Sequence, residues 1–123
     1  MLDKSKMNQE AGAWAEKQRY YDVAISRYYY SIYQKIIYIS KKLKFYEEPP
    51  YGSDSHIFTI NLFRKNIYKK IEKKDIAWIE QIKILKERRV LADYGPDKID
   101  SETVYNLVFK VPYNSINSIL DKL

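Results

Sequence analysis

The stretch "DVAISRYYYSIYQKIIYISKKL", residues 22–43, decides the fold. Ile25, Tyr29, Ile32, Ile36, Ile39 and Leu43 recur at alternating steps of four and three, the spacing that places side chains on one face of an α-helix. Such a face needs burial. Lys35, Lys41 and Lys42 fall on the opposite side, while Tyr30, Tyr33 and Ile37 widen the apolar surface. This helix is therefore expected to meet more than one neighbour and to sit at the centre of the molecule.

Outward from it, the pattern stays helical. Alanines and Trp14 at helical spacing predict a first helix from about Asn8 to Arg19, with "RYYD" at 19–22 as a short break. In "YEEPPYGSDS" (46–55) the prolines lack the amide donor a helix requires, and Ser53, Asp54 and Ser55 are candidate caps for a third helix from about Ser55 to Lys70. Its apolar positions are Ile60, Phe63, Ile67 and Ile71, with Leu62 beside them. Asp75 can cap a fourth helix carrying Ile79, Ile82 and Leu85 alongside Trp78, which Gly95-Pro96 ends. Asp100 or Ser101 can cap a fifth helix through Val104, Leu107, Val108 and Val111, and Pro112 should kink it or divide it in two. No segment alternates with period two over the length of a strand. The expectation is an all-α, up-and-down bundle of about five helices, with residues 1–123 forming a single domain.

Composition bounds the function. A chain of 123 residues with 46% apolar residues suits one compact core rather than two domains. Without cysteine there is no disulfide framework and no thiolate metal site, and the one histidine cannot build a zinc centre unaided, so no metal or cofactor is expected. "MLDKSKMNQE" at 1–10 lacks an apolar signal core, and nowhere does the chain offer ~18 consecutive apolar residues. A soluble cytoplasmic protein, not a membrane protein, is the expectation. The net charge of +6, from 22 Lys+Arg against 16 Asp+Glu, is compatible with a polyanionic partner and equally ordinary for a lysine-rich chain.

Three strings in order resemble a known family. "YDVAISRYYYSIYQ" (21–34), with Ala24, Ser26, Arg27, Tyr29 and Tyr30, resembles the second-helix signature of HEPN domains. "SDSHIFTINLFRK" (53–65), with Ser55-His56 and Phe63, resembles the start of their third helix, and "LKERRVLADYG" (85–95), with Arg89, Ala92, Asp93 and Tyr94, resembles the end of their fourth. The resemblance implies a helical bundle that often forms a homodimer, partnered with a small nucleotidyltransferase antitoxin in prokaryotic toxin–antitoxin or antiphage defence modules. It also implies metal-independent RNA cleavage by an arginine and a histidine four to six residues apart. Here the chain departs from the pattern: Arg88 and Arg89 are followed at those distances by Asp93, Tyr94 and Gly95, with no histidine. The resemblance further makes Tyr94 a candidate acceptor of nucleotidylation.

The missing histidine matters physically. Cleavage through the RNA 2'-hydroxyl benefits from proton transfer near neutral pH, which histidine suits and unperturbed tyrosine, with a pKa of roughly 10, does not. General acid–base help contributes about 10²- to 10⁴-fold in rate. Arg88 or Arg89 can still hold a phosphate, with Asp93 and Tyr94 at the same locus. The structural alternative is that the arginines complement the helix dipole, Asp93 pairs with one of them and Tyr94 covers the end of the bundle. Arg27 lies among apolar and aromatic residues and needs an acceptor if buried, for which Asp93 is the expected partner. His56 follows a candidate cap; its ring can join the capping network or reach a site between helices three and four. The thirteen tyrosines invite base stacking, but Tyr28, Tyr29, Tyr30 and Tyr33 point around one helix and cannot form a single platform. "KKLK" at 41–44 and the lysine pairs at 69–70 and 73–74 read as solvated ends or as a phosphate-attracting patch.

Two functions follow. One is an RNA-directed HEPN-like component of a toxin–antitoxin or defence module, with a metal-independent ribonuclease site at Arg88, Arg89 and Tyr94 supported by Arg27, His56 and Asp93. The other is a noncatalytic interaction or RNA- or nucleotide-binding module of the same fold, partnered with a nucleotidyltransferase.

Overall fold

The long central periodicity becomes a helix of 22 residues, Tyr21–Lys42, around which the others pack. A computed structural model describes residues 2–123. In chain order the helices are α1 (Leu2–Lys17), α2 (Tyr21–Lys42), α3 (Ser55–Ile67), α4 (Lys73–Glu80), α5 (Ile82–Tyr94), α6 (Glu102–Tyr105) and α7 (Val111–Asp121). There is no strand among the described residues, and no helix among them is long and apolar enough to cross a membrane. The expected five helices are present, with two of them divided. Helix four breaks into α4 and α5 at Gln81, whose N–H turns back to the Trp78 carbonyl, yet Ile79 and Ile82 stay buried on either side. Helix five is α6 and α7 joined by the π-helical segment Asn106–Lys110.

α2 packs against α1, α3, α5 and α7. Ile25, Tyr29, Ile32, Ile36 and Ile39 are buried, each removal of such a side chain from water contributing about 1.5–3 kcal/mol. Against it α1 turns small residues, Ser5, Gly12 and Ala15. Ser5 Oγ donates to the Ser31 carbonyl at 2.9 Å, and a Cβ at Gly12 would meet the Tyr28 ring at 2.9 Å. Glycine is there because the two helices approach too closely for anything larger.

Local signals account for some ends. Asp54 caps α3 by accepting from the Ile57 N–H at 3.0 Å, and Ser101 caps α6 by accepting from Val104 N–H at 3.3 Å. Gly95 closes α5 through its N–H to Leu91. Other expectations need correction. α1 begins at Leu2, not near Asn8. Asp75 lies inside the first turn of α4, with Glu72 in the capping position. Lys35 is not on a solvated face: its ammonium bonds Asp121 at 2.7 Å and ties α2 to α7. The buried side of the last helix is Tyr105, Phe109, Tyr113, Ile116 and Leu120, whereas Leu107 is 75% exposed and Val104 and Val111 are exposed too. The cause is visible in the backbone. Pro112 supplies no N–H, and Val111 bonds back five residues to the Asn106 carbonyl, so the π turn shifts the register that the aliphatic residues alone suggested.

Gly12→Val should destabilise the protein by about 1–3 kcal/mol through overpacking against Tyr28, read as a lower urea midpoint with unchanged slope. An unchanged midpoint would contradict the close α1–α2 approach.

Candidate functional site

Four of the polar residues singled out in the sequence, Arg27, His56, Arg89 and Asp93, lie near the meeting of α2, α3 and α5, about Tyr29 and Tyr30. Tyr29 belongs to the apolar stripe of α2 and is 0% exposed. A buried phenol usually has a hydrogen-bonding partner, although those of Tyr105 and Tyr113 have none. Tyr29 finds one in His56, at the start of α3, whose Nδ1 lies 2.7 Å from the Tyr29 hydroxyl. The imidazole stacks on Tyr33, with centroids 4.0 Å apart and planes 4° from parallel. His56 is half-buried, and its pKa is lowered from the usual 6.5, first by burial and then by the positive charge of Arg89. Burial also raises the pKa of Tyr29, with Arg89 opposing it.

Arg89 enters from α5. Only 9% of it is exposed, and its guanidinium lies 5.4 Å from the Tyr29 ring centre and 5.3 Å from that of Tyr30. Its carboxylate partner is Asp93, one turn on, at 3.5 Å, while its Nε is buried with no partner. The guanidinium is thus held mainly by aromatic faces and one long ion pair, which leaves donors to spare.

Arg27 joins the cluster through the same Tyr30, its guanidinium 5.3 Å from that ring. The expected Arg27–Asp93 pair does not form. Arg27 donates to Asn8 Oδ1 at 3.3 Å and to Ser26 Oγ at 3.5 Å, and it is Ser26 that donates to Asp93, also at 3.5 Å. Ser26 therefore links the two arginines through the single carboxylate. Nearby, Lys86 pairs with Asp54 at 3.2 Å, so that local charge is already compensated. The backbone N–H of Ile57, followed by Lys86, holds the Asp54 carboxyl below its usual range.

Not every candidate joins. Successive helical residues point about 100° apart, so Arg88 cannot share the direction of Arg89. It lines a cavity of about 200 Å³ with Asp22, Ala92, Lys98 and Ile99 instead. Tyr94 is 79% exposed and has no side-chain hydrogen bond to the cluster among the described residues. The structure thus separates Arg88 and Tyr94 from Arg89 and Asp93, and adds Tyr29, Tyr30, Tyr33 and Ser26. Tyr29 carried a signal that was open to reading: a hydroxyl in a buried stripe costs free energy unless it is satisfied. Nothing in the sequence pairs it with His56, 27 positions away. Among the described residues no three His, Cys, Asp or Glu side chains group to hold a metal.

Comparison with protein-family models, with curated proteins and with solved structures finds no match to the chain.

Because the folded pKa of His56 is depressed, the unfolded chain binds its proton first, and stability is lost as pH falls from 7 through 6.5 toward the folded midpoint. The imidazole should titrate below 6.5 by proton NMR and move upward in Arg89→Ala. A midpoint at or above 6.5 would show that burial and Arg89 do not outweigh Asp54 at the ring.

Proposed function

We propose that the protein is a HEPN-like, RNA-directed component of a prokaryotic toxin–antitoxin or antiphage module, binding the RNA backbone at the Arg27–Arg89–His56 cluster. The observation that carries this is the state of Arg89: a buried guanidinium with an unpartnered Nε and one carboxylate at 3.5 Å, beside a second arginine. Positive charge in excess of its local compensation favours an oxyanion, and guanidinium groups match phosphate in planar, two-pronged geometry. The exposed lysines of "KKLK" and the lysine pairs at 69–70 and 73–74 add attraction without specificity. In this proposal the chain works in the cytoplasm as a homodimer alongside a nucleotidyltransferase antitoxin, with the exposed Trp14 and Tyr20 at the α1–α2 turn as apolar contact surface.

A second reading is metal-independent cleavage. It is favoured by one feature: the histidine absent after Arg88-Arg89 is supplied to the same cluster by α3. Arg89 would then neutralise the phosphate while His56 handled a proton.

Binding of a single-stranded RNA without added metal, followed by fluorescence anisotropy, tests both. Arg89→Ala or Arg27→Ala, checked for folding, should weaken binding about 10- to 100-fold, the loss of a charge-assisted bond of about 1.5–3 kcal/mol. Arg88→Ala should weaken it far less. Equal affinity of the parent and the Arg89 variant would reject the site, and shortened RNA in the parent sample alone would favour cleavage.

A further inference from the structure

We propose that Tyr29 locks His56 as the tautomer protonated on Nε2, so that the ring presents a proton-donating N–H, beside Arg89 and Arg27, to a phosphate oxyanion. The inference rests on the phosphate-binding reading above and deepens it by fixing what His56 does there.

The argument runs through hydrogen-bond satisfaction. The Tyr29 hydroxyl has one partner, His56 Nδ1 at 2.7 Å, and Tyr29 is fully buried. Of the two atoms one must donate. If Nδ1 carried the proton, the phenolic hydrogen would be left in the core without an acceptor, the costlier arrangement. With Tyr29 donating, Nδ1 accepts and Nε2 must bear the proton of the neutral ring. Burial favours the protonated phenol, which agrees with Tyr29 as the donor.

Nε2 is free for a ligand. It has no protein partner, and it is not among the fully buried side-chain atoms that lack one, so it reaches the surface of the cluster. Stacking on Tyr33 and an edge contact with Tyr30, centroids 5.9 Å apart, hold the ring plane. The charged groups acting on the ring are Arg89 and Lys86 from α5, which with burial lower its pKa and favour the neutral ring, and Asp54 at the cap of α3, which opposes them. A neutral imidazole whose Nδ1 is occupied and whose Nε2 is protonated has no lone pair to offer a hydroxyl. His56 is then a donor to bound phosphate and not a base, so the site holds RNA without activating its 2'-hydroxyl.

The full chain has a single histidine, so the assignment is unambiguous. In 15N-labelled protein above the His56 titration midpoint, long-range 1H–15N spectra should show Nδ1 at the shift of a bare ring nitrogen and Nε2 at that of a protonated one. Tyr29→Phe, which keeps the ring in the core, should move both toward a tautomer mixture. Adding inorganic phosphate should shift Nε2–H while leaving Nδ1 nearly still. A protonated Nδ1 in the parent, unchanged tautomers in Tyr29→Phe, or an unmoved Nε2 at saturating phosphate would each overturn the inference. Failure of the parent to bind RNA would instead remove the underlying reading while the tautomer result stood.

Discussion

The burial of Arg89 against the rings of Tyr29 and Tyr30 is the constraint on which the site depends. An arginine pressed into the side of a bundle needs compensation, and Asp93 at 3.5 Å supplies only part of it. The aromatic faces of α2 supply more, and those faces are fixed because Tyr29 is part of the same buried stripe that seats α2 among its neighbours. Core and site therefore share one residue. The phenol ring packs as a hydrophobe, its hydroxyl orders His56, and its face receives a guanidinium. This is why a polar cluster can persist at the junction of three helices without unravelling them.

Much of the fold was legible in the sequence, and the reasons are particular. Ile25, Ile32, Ile36 and Ile39 announce α2 because aliphatic side chains at helical spacing have nowhere to go but inward. Asp54 and Ser101 announce helix starts because a short acceptor side chain satisfies an otherwise orphaned amide. The last helix was misjudged where Val104, Leu107 and Val111 were taken as the stripe. Three aromatic rings, Tyr105, Phe109 and Tyr113, took the interior, and the π turn before Pro112 made a spacing of four-by-four face the core. The break at Gln81 left no trace of proline or glycine to read.

The site was legible in membership more than in wiring. Arg27, His56, Arg89 and Asp93 do converge, yet Arg27 bonds Asn8 of α1 rather than Asp93, and Asp93 serves Arg89 one turn back along its own helix. Helical spacing tells which side chains share a face. It does not tell which neighbouring helix supplies the acceptor. The same limit hid the tie between His56 and Tyr29, and it made Arg88, Arg89 and Tyr94 look like one locus although consecutive residues diverge around the helix.

Charge explains the remaining division of labour. The lysines at 41, 42, 69, 70, 73 and 74 are exposed and act as a diffuse field, whereas the two arginines are ordered by rings. A crystal structure of the protein with a short single-stranded RNA tests the central claim most directly. A backbone phosphate within hydrogen-bond distance of Arg89, Arg27 and His56 Nε2 is the result predicted. RNA seated only along the lysines, with Arg89 still enclosed by Tyr29 and Tyr30 and touching no phosphate, would contradict it.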